Sequence, residues 1–226
     1  MPFGAVMPYT ATAIAASFCS SARMARRVAT PYPHAFLNEL FPAAVAQALN
    51  DLPFNAPALG GVSGKRELHN DTRSYFDAAA MARFPVMAQT AQALQSPGTI
   101  ATLEDVFGAP LAGTYLRLEY AQDIDGFWLE PHTDLGVKKF TCLIYLSGLE
   151  GHETLGTDIY SDHDTHYGRS PFVPNSAMVF VPGTNTWHGF EKRPIKGVRK
   201  SVILNYVTND WRAREQLSFP QTPVTR

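Results

Sequence analysis

Cysteine is scarce: the 226-residue chain has two, Cys19 and Cys142, far apart and in unlike contexts. That excludes a disulfide framework and suits a reducing cytoplasm. An excess of either charge is also lacking. The formal net charge is -1, so there is no global attraction to nucleic acid or to an anionic membrane. The basic residues Lys192, Arg193, Lys196, Arg199 and Lys200 are a local cluster, read as mostly solvated surface. Long hydrophobic runs are missing. Ala5 to Phe18 is mildly apolar but too short and interrupted to span a bilayer. Arg23, Arg26 and Arg27 follow this stretch, whereas an export signal carries its positive charge ahead of it. Residues 1–30 are therefore expected to be a disordered extension, or the product of a start upstream of a natural one at Met24. A single domain then spans 31–226. Its 45% hydrophobic and 17% charged residues suit one globular unit with a sizeable core.

The first part of that domain carries helical signals. Val45, Leu49 and Leu52 recur at i, i+4, i+7 behind Pro42. Ala78 to Leu94 is Ala-rich, with a break or kink expected near Pro85. Ile100, Leu103 and Phe107 form a further apolar stripe, ended by Gly108 and Pro110. From Gly113 the period changes to two. Thr114 to Tyr120, Lys139 to Ser147, Leu155 to Tyr160, Ala177 to Pro182 and Val198 to Val207 read as strands. Helices followed by short strands predict an α+β domain with an antiparallel sandwich or barrel at its core.

Within the strands, His132-Thr133-Asp134 places an imidazole and a carboxylate two residues apart. On extended chain such residues share a face and can converge on one ion. The chain holds a second copy, His69-Asn70-Asp71, so the spacing alone does not choose between them. Context favours the first copy, which lies between two expected strands. A third ligand, His188, follows an apolar strand and a Pro182-Gly183 turn, and stands before Gly189. Two histidines and one carboxylate form the facial triad that leaves open positions on non-haem Fe(II). Eleven residues on, Arg199 and Ser201 share one strand face and Lys200 the other. A guanidinium fork beside a hydroxyl suits a carboxylate.

His-x-Asp, a distal His before Gly and an Arg-x-Ser some ten residues later together resemble the 2-oxoglutarate/Fe(II) dioxygenase superfamily, in its prolyl-hydroxylase-like branch. The likeness covers roughly Tyr115 to Val207. It implies a double-stranded β-helix, or jelly roll, of cupin-like form, with the N-terminal helices packed on its major sheet. It also implies Fe(II) on His132, Asp134 and His188, with O2 and 2-oxoglutarate as co-substrates. The far carboxylate of 2-oxoglutarate would meet Arg199 and Ser201, and Tyr145 and Tyr120 look similar to the family's co-substrate contacts. The carboxylate of Asp134 favours hydroxylation, since related halogenating enzymes carry a small residue in its place.

The substrate is less legible. Asn70, Arg73, Arg117, Glu119 and the polar loop His152 to Arg169 are the candidate contacts. A small-molecule hydroxylase acting on an amino acid, sugar or biosynthetic intermediate is the leading expectation. A peptidyl hydroxylase is the alternative. A non-catalytic jelly-roll binding protein, or a cupin-like hydrolase with another metal, would have no use for Arg-x-Ser.

Overall fold

The computed structural model describes residues 10–56, 58, 64 and 73–226. The chain begins with a helix where disorder was expected. In α1 (Ala11–Arg23) the side chain of Thr10 caps the N-terminus by accepting from Ala13 N. Ile14, Phe18 and Ala22, spaced four apart, are fully buried. Arg23 donates to Thr102 Oγ1 at 2.9 Å, and Ser21 Oγ donates to Asn38 O at 2.6 Å. The expectation of a disordered extension over 1–30 is thereby corrected for the described residues. They form α1, then β1 (Arg26–Val28), which pairs with β2 (His34–Asn38).

The remaining helices are α2 (Ala43–Asn50), α3 (Ala78–Arg83), α4 (Pro85–Gln95) and α5 (Pro97–Phe107). The expected break falls at Phe84, which ends α3 and precedes Pro85 at the first turn of α4. Gly108 ends α5 in the left-handed conformation (φ 69°). The later strands are β3 (Ser74–Tyr75), β4 (Tyr115–Asp123), β5 (Leu129–His132), β6 (Lys138–Tyr145), β7 (Asp158–Tyr160), β8 (His166–Arg169), β9 (Ser176–Phe180), β10 (His188–Phe190) and β11 (Arg199–Val207).

These strands make two antiparallel sheets, one ordered β1-β2-β9-β6-β11-β4-β3 and the other β5-β10-β7-β8. The period-two patterning sorts the faces of the larger sheet. Leu116, Leu118, Cys142, Ile144, Val202 and Leu204 join Val45, Leu94 and Ile100 in the main core, which lies between that sheet and the helices. Tyr145, Met178 and Phe180 point the other way and pack with Ile159, Phe172 and Phe190 between the sheets. The α+β class with helices packed on the larger sheet is thus observed. No helix among the described residues is long and apolar enough to cross a membrane.

Candidate metal centre and charged cavity

Antiparallel pairing places His188 of β10 directly opposite His132 of β5. Gly189 permits that pairing, because a Cβ there would lie 2.8 Å from the carbonyl oxygen of Leu129. Asp134 follows β5, and the ligand atoms of His132, Asp134 and His188 all lie within 4.8 Å of one another.

The supporting bonds choose the imidazole tautomers. His132 Nδ1 lies 2.9 Å from Glu130 O, and His188 Nδ1 lies 2.9 Å from Thr186 O. A carbonyl oxygen only accepts, so each Nδ1 carries the proton and each Nε2 presents a lone pair. Burial, reinforced by the neighbouring His132, pushes His188 down to about 3, keeping it in the neutral form that ligates metals. Asp134 accepts from Thr141 Oγ1 at 2.6 Å and pairs with Lys138, four residues further on at the start of β6. These contacts orient the carboxylate as outer partners of metal ligands do. Two neutral imidazoles and a carboxylate on one side suit a divalent transition ion with positions left open.

A cavity of about 70 Å³ runs from these three residues between the sheets. Tyr145, Arg199, Ser201 and Arg73 line it. Tyr145 OH sits 2.8 Å from Thr157 Oγ1 and 2.6 Å from Ser170 Oγ. Arg199 is packed among the rings of Phe190, Phe172 and Tyr145 at 4.9, 5.3 and 5.7 Å. Its Nε donates to Leu155 O at 2.8 Å and its Nη1 to Asp123 Oδ2 at 2.6 Å. Lys200 points to the helices instead, and donates to Asn50 O at 2.7 Å.

Other expected contacts are corrected or lie elsewhere. Tyr120 does not reach the cavity. It alternates with Glu119 and Ala121, so it lies on the helix-facing side, where its ring packs 5.4 Å from Phe54 and its hydroxyl donates to Asn50 O at 3.3 Å. Arg117 is buried, donating to Glu119 (2.6 Å), Gln216 (2.9 Å) and Asn205 (3.3 Å), and it borders a second hollow beside His132 and Asp134. Asn70 and the second motif copy, His69 and Asp71, lie outside the described residues. Much of the loop His152 to Arg169 serves the fold. His152 is buried between Ser147 and Lys196 O. Burial alone would raise the Asp158 carboxyl, but Arg193, the Glu191 N–H and Arg169 hold it below the usual range. Asp158, His166 and Glu191 also cluster closely enough to hold an ion, yet those arginines already neutralise Asp158.

Sequence reasoning missed Asp123, Thr141 and Lys138. Thr141 shares its strand face with Tyr145, so alternation alone turns it toward the cavity. Asp123 was hidden because β4 runs three residues past the expected strand end, paired with β11 along its whole length.

No family model and no curated protein matches the chain. Solved structures do. A prolyl 4-hydroxylase from Phytophthora capsici superposes with a TM-score of 0.60 at 12% identity, covering 93% of this chain and 70% of that one. A prolyl hydroxylase from Trichoplax adhaerens, in complex with a hypoxia inducible factor peptide fragment, gives 0.58 at 13% identity, covering 90% and 91%. HygX from Streptomyces hygroscopicus, with nickel, 2-oxoglutarate and hygromycin B bound, gives 0.52 at 15%, covering 77% and 82%. At these identities the likeness is one of fold: the chain has the fold of the prolyl hydroxylases and of HygX.

Proposed function

We propose that the protein is an Fe(II)- and 2-oxoglutarate-dependent oxygenase that hydroxylates a C–H bond of a small molecule, with its two sheets forming a double-stranded β-helix. The observation that carries this reading is one cavity with a metal-ligand set at one end and a buried guanidinium, Arg199, at the other. His132, Asp134 and His188 would hold the iron, which with O2 and 2-oxoglutarate supplies the oxidising chemistry. One oxygen atom passes to the substrate and the other to succinate, with release of CO2.

The protein's own work is positioning and exclusion of water. Glu130 O and Thr186 O hold the two imidazoles in the tautomer that offers Nε2. Thr141 and Lys138 orient Asp134. Arg199 takes the far carboxylate of the co-substrate, with Ser201 beside it and the hydroxyl of Tyr145 steadied by Thr157 and Ser170. Phe127, Leu129, Leu143 and Phe190 make the walls apolar, which strengthens each polar contact inside.

A second hollow, of about 660 Å³, borders His132 and Asp134 and is lined by Leu135, Trp211, Arg212 and Gln216 among others. Its size is that of a small-molecule pocket, and it supports an amino acid, sugar or biosynthetic intermediate as substrate. HygX, whose solved structure holds hygromycin B, favours the same choice. The peptide bound to the Trichoplax enzyme favours a peptidyl hydroxylase as the second reading. Screening metabolites and peptides for stimulated succinate formation separates the two. Failure of Fe(II) and 2-oxoglutarate to bind together under anaerobic conditions would refute both.

A further inference from the structure

Arg199 does not stand alone at its end of the cavity. Asp123 is its cross-strand neighbour, and the carboxylate of Asp123 is shared: Oδ2 accepts from Arg199 Nη1 at 2.6 Å and Oδ1 from Arg73 Nη1 at 2.9 Å. Arg73 Nε lies 3.5 Å from Glu119, and Glu119 accepts from Arg117 at 2.6 Å. The five side chains form one line, Arg199–Asp123–Arg73–Glu119–Arg117, and none is more than 9% exposed. Guanidinium and carboxylate groups alternate along this line.

The bonds restrict where a ligand's carboxylate can be met. An arginine side chain is long and flexible, and left alone its head would follow a ligand's end. Here Leu155 O holds Nε, Asp123 holds Nη1 and three aromatic rings surround the guanidinium, while no described residue accepts from Nη2. Asp123 is in turn held from its other oxygen by Arg73. One end of the cavity is thus pinned relative to His132, Asp134 and His188 at the other.

We propose that Asp123 is a positioning residue: it aims Arg199 and, tied to Arg73, sets the length of 2-oxo diacid that spans the cavity. This rests on the oxygenase reading above. The test is calorimetric titration of the anaerobic Fe(II)-loaded protein with 2-oxoglutarate and with 2-oxoadipate, one methylene longer. The wild-type protein should prefer the five-carbon acid by about tenfold or more, and Asp123→Ala should weaken its binding by about tenfold, as for loss of a charge-assisted hydrogen bond. The diagnostic result is discrimination, which should fall to about twofold in Asp123→Ala, a change of the order of one buried methylene contact. Asp123→Asn keeps a hydrogen-bond acceptor and should restore part of it. Arg73→Gln, acting through Asp123, should move the same way by less. If Asp123→Ala does not fold, Asp123→Asn and Arg73→Gln carry the test. A purely structural role would weaken both acids equally. Discrimination that is unchanged in every folded variant overturns the inference, whereas a wild-type protein that binds neither acid overturns the oxygenase reading and this inference with it.

Discussion

His132 and His188 face each other across the β5–β10 ladder with ring centroids 4.3 Å apart, each imidazole fixed by a main-chain carbonyl two residues before it. Strand register alone therefore brings together two groups 56 positions apart in the chain. With Fe(II) and 2-oxoglutarate under anaerobic conditions, the weak visible charge-transfer band of the chelate should form. It should be lost in His132→Ala, Asp134→Ala and His188→Ala. Retention of wild-type metal affinity by all three variants would remove these residues from the site.

Gly189→Ala tests the register without touching a ligand. The new methyl would meet Leu129 O at 2.8 Å, so β10 must shift away from β5. Iron affinity is expected to fall while the side chains of all three ligands remain. An unchanged metal titration would show that the two strands can part without moving the histidines.

Arg199→Ala should raise the dissociation constant for 2-oxoglutarate by about ten- to a hundredfold, reflecting roughly 1.5–3 kcal/mol of charge-assisted hydrogen bonding. Arg199→Lys should recover only part of this, because a point charge cannot reproduce the fork. Lys200→Ala should matter little, since its ammonium serves Asn50 O on the helix side. A severe defect in Lys200→Ala beside a near-normal Arg199→Ala would reverse the assignment. Direct titration with 2-oxoglutarate decides it.

The N-terminal helix should be needed for stability. Phe18 is fully buried, stacked with Phe41 at 6.1 Å and part of the main core. Phe18→Ala should cost about 3–5 kcal/mol in urea unfolding, the usual range for a buried phenylalanine. Deleting residues 1–23 should cost at least as much. A truncated protein with wild-type stability would contradict the packing of α1.

Acid should destabilise the metal-free protein through His188. Its value falls from 6.5 to about 3 on folding, chiefly through burial. Between these pH values the unfolded chain holds a proton that the folded one does not, so stability declines as pH drops through that window. Asp158, held low by Arg193, the Glu191 N–H and Arg169 against its burial, acts in the same direction: its contribution is lost as pH falls below the unfolded carboxylate value. Denaturation curves of His188→Gln should be flatter in pH over the histidine window. A slope equal to that of the wild type would contradict the buried, neutral His188.

Features with a local cause were legible in the sequence. Strand alternation is a property of neighbouring residues, so the opposite directions of Arg199 and Lys200 could be read without a fold. The break before Pro85 and the stop at Gly108 have equally local causes. Two features were locally readable yet missed. Tyr120 shares its parity with Leu116 and Leu118, which sends it to the helix side. Ile14, Phe18 and Ala22 recur every four residues, the mark of an amphipathic helix, although the partners that bury them, α4 and α5, lie some 70 to 80 positions downstream.

The sequence by itself determined the α+β class, the face of each long strand and the residue types able to hold a metal and a carboxylate. Tertiary structure alone decided which of these residues meet. β10 is three residues long and is defined by its pairing with β5 and β7. β4 extends to Asp123 because β11 pairs with it as far as Arg199. A ladder bond depends on two strands at once, and a buried charge persists only where a partner from elsewhere neutralises it. The Asp123–Arg199 contact therefore depends on chain 76 residues away, which no local reading of either residue contains.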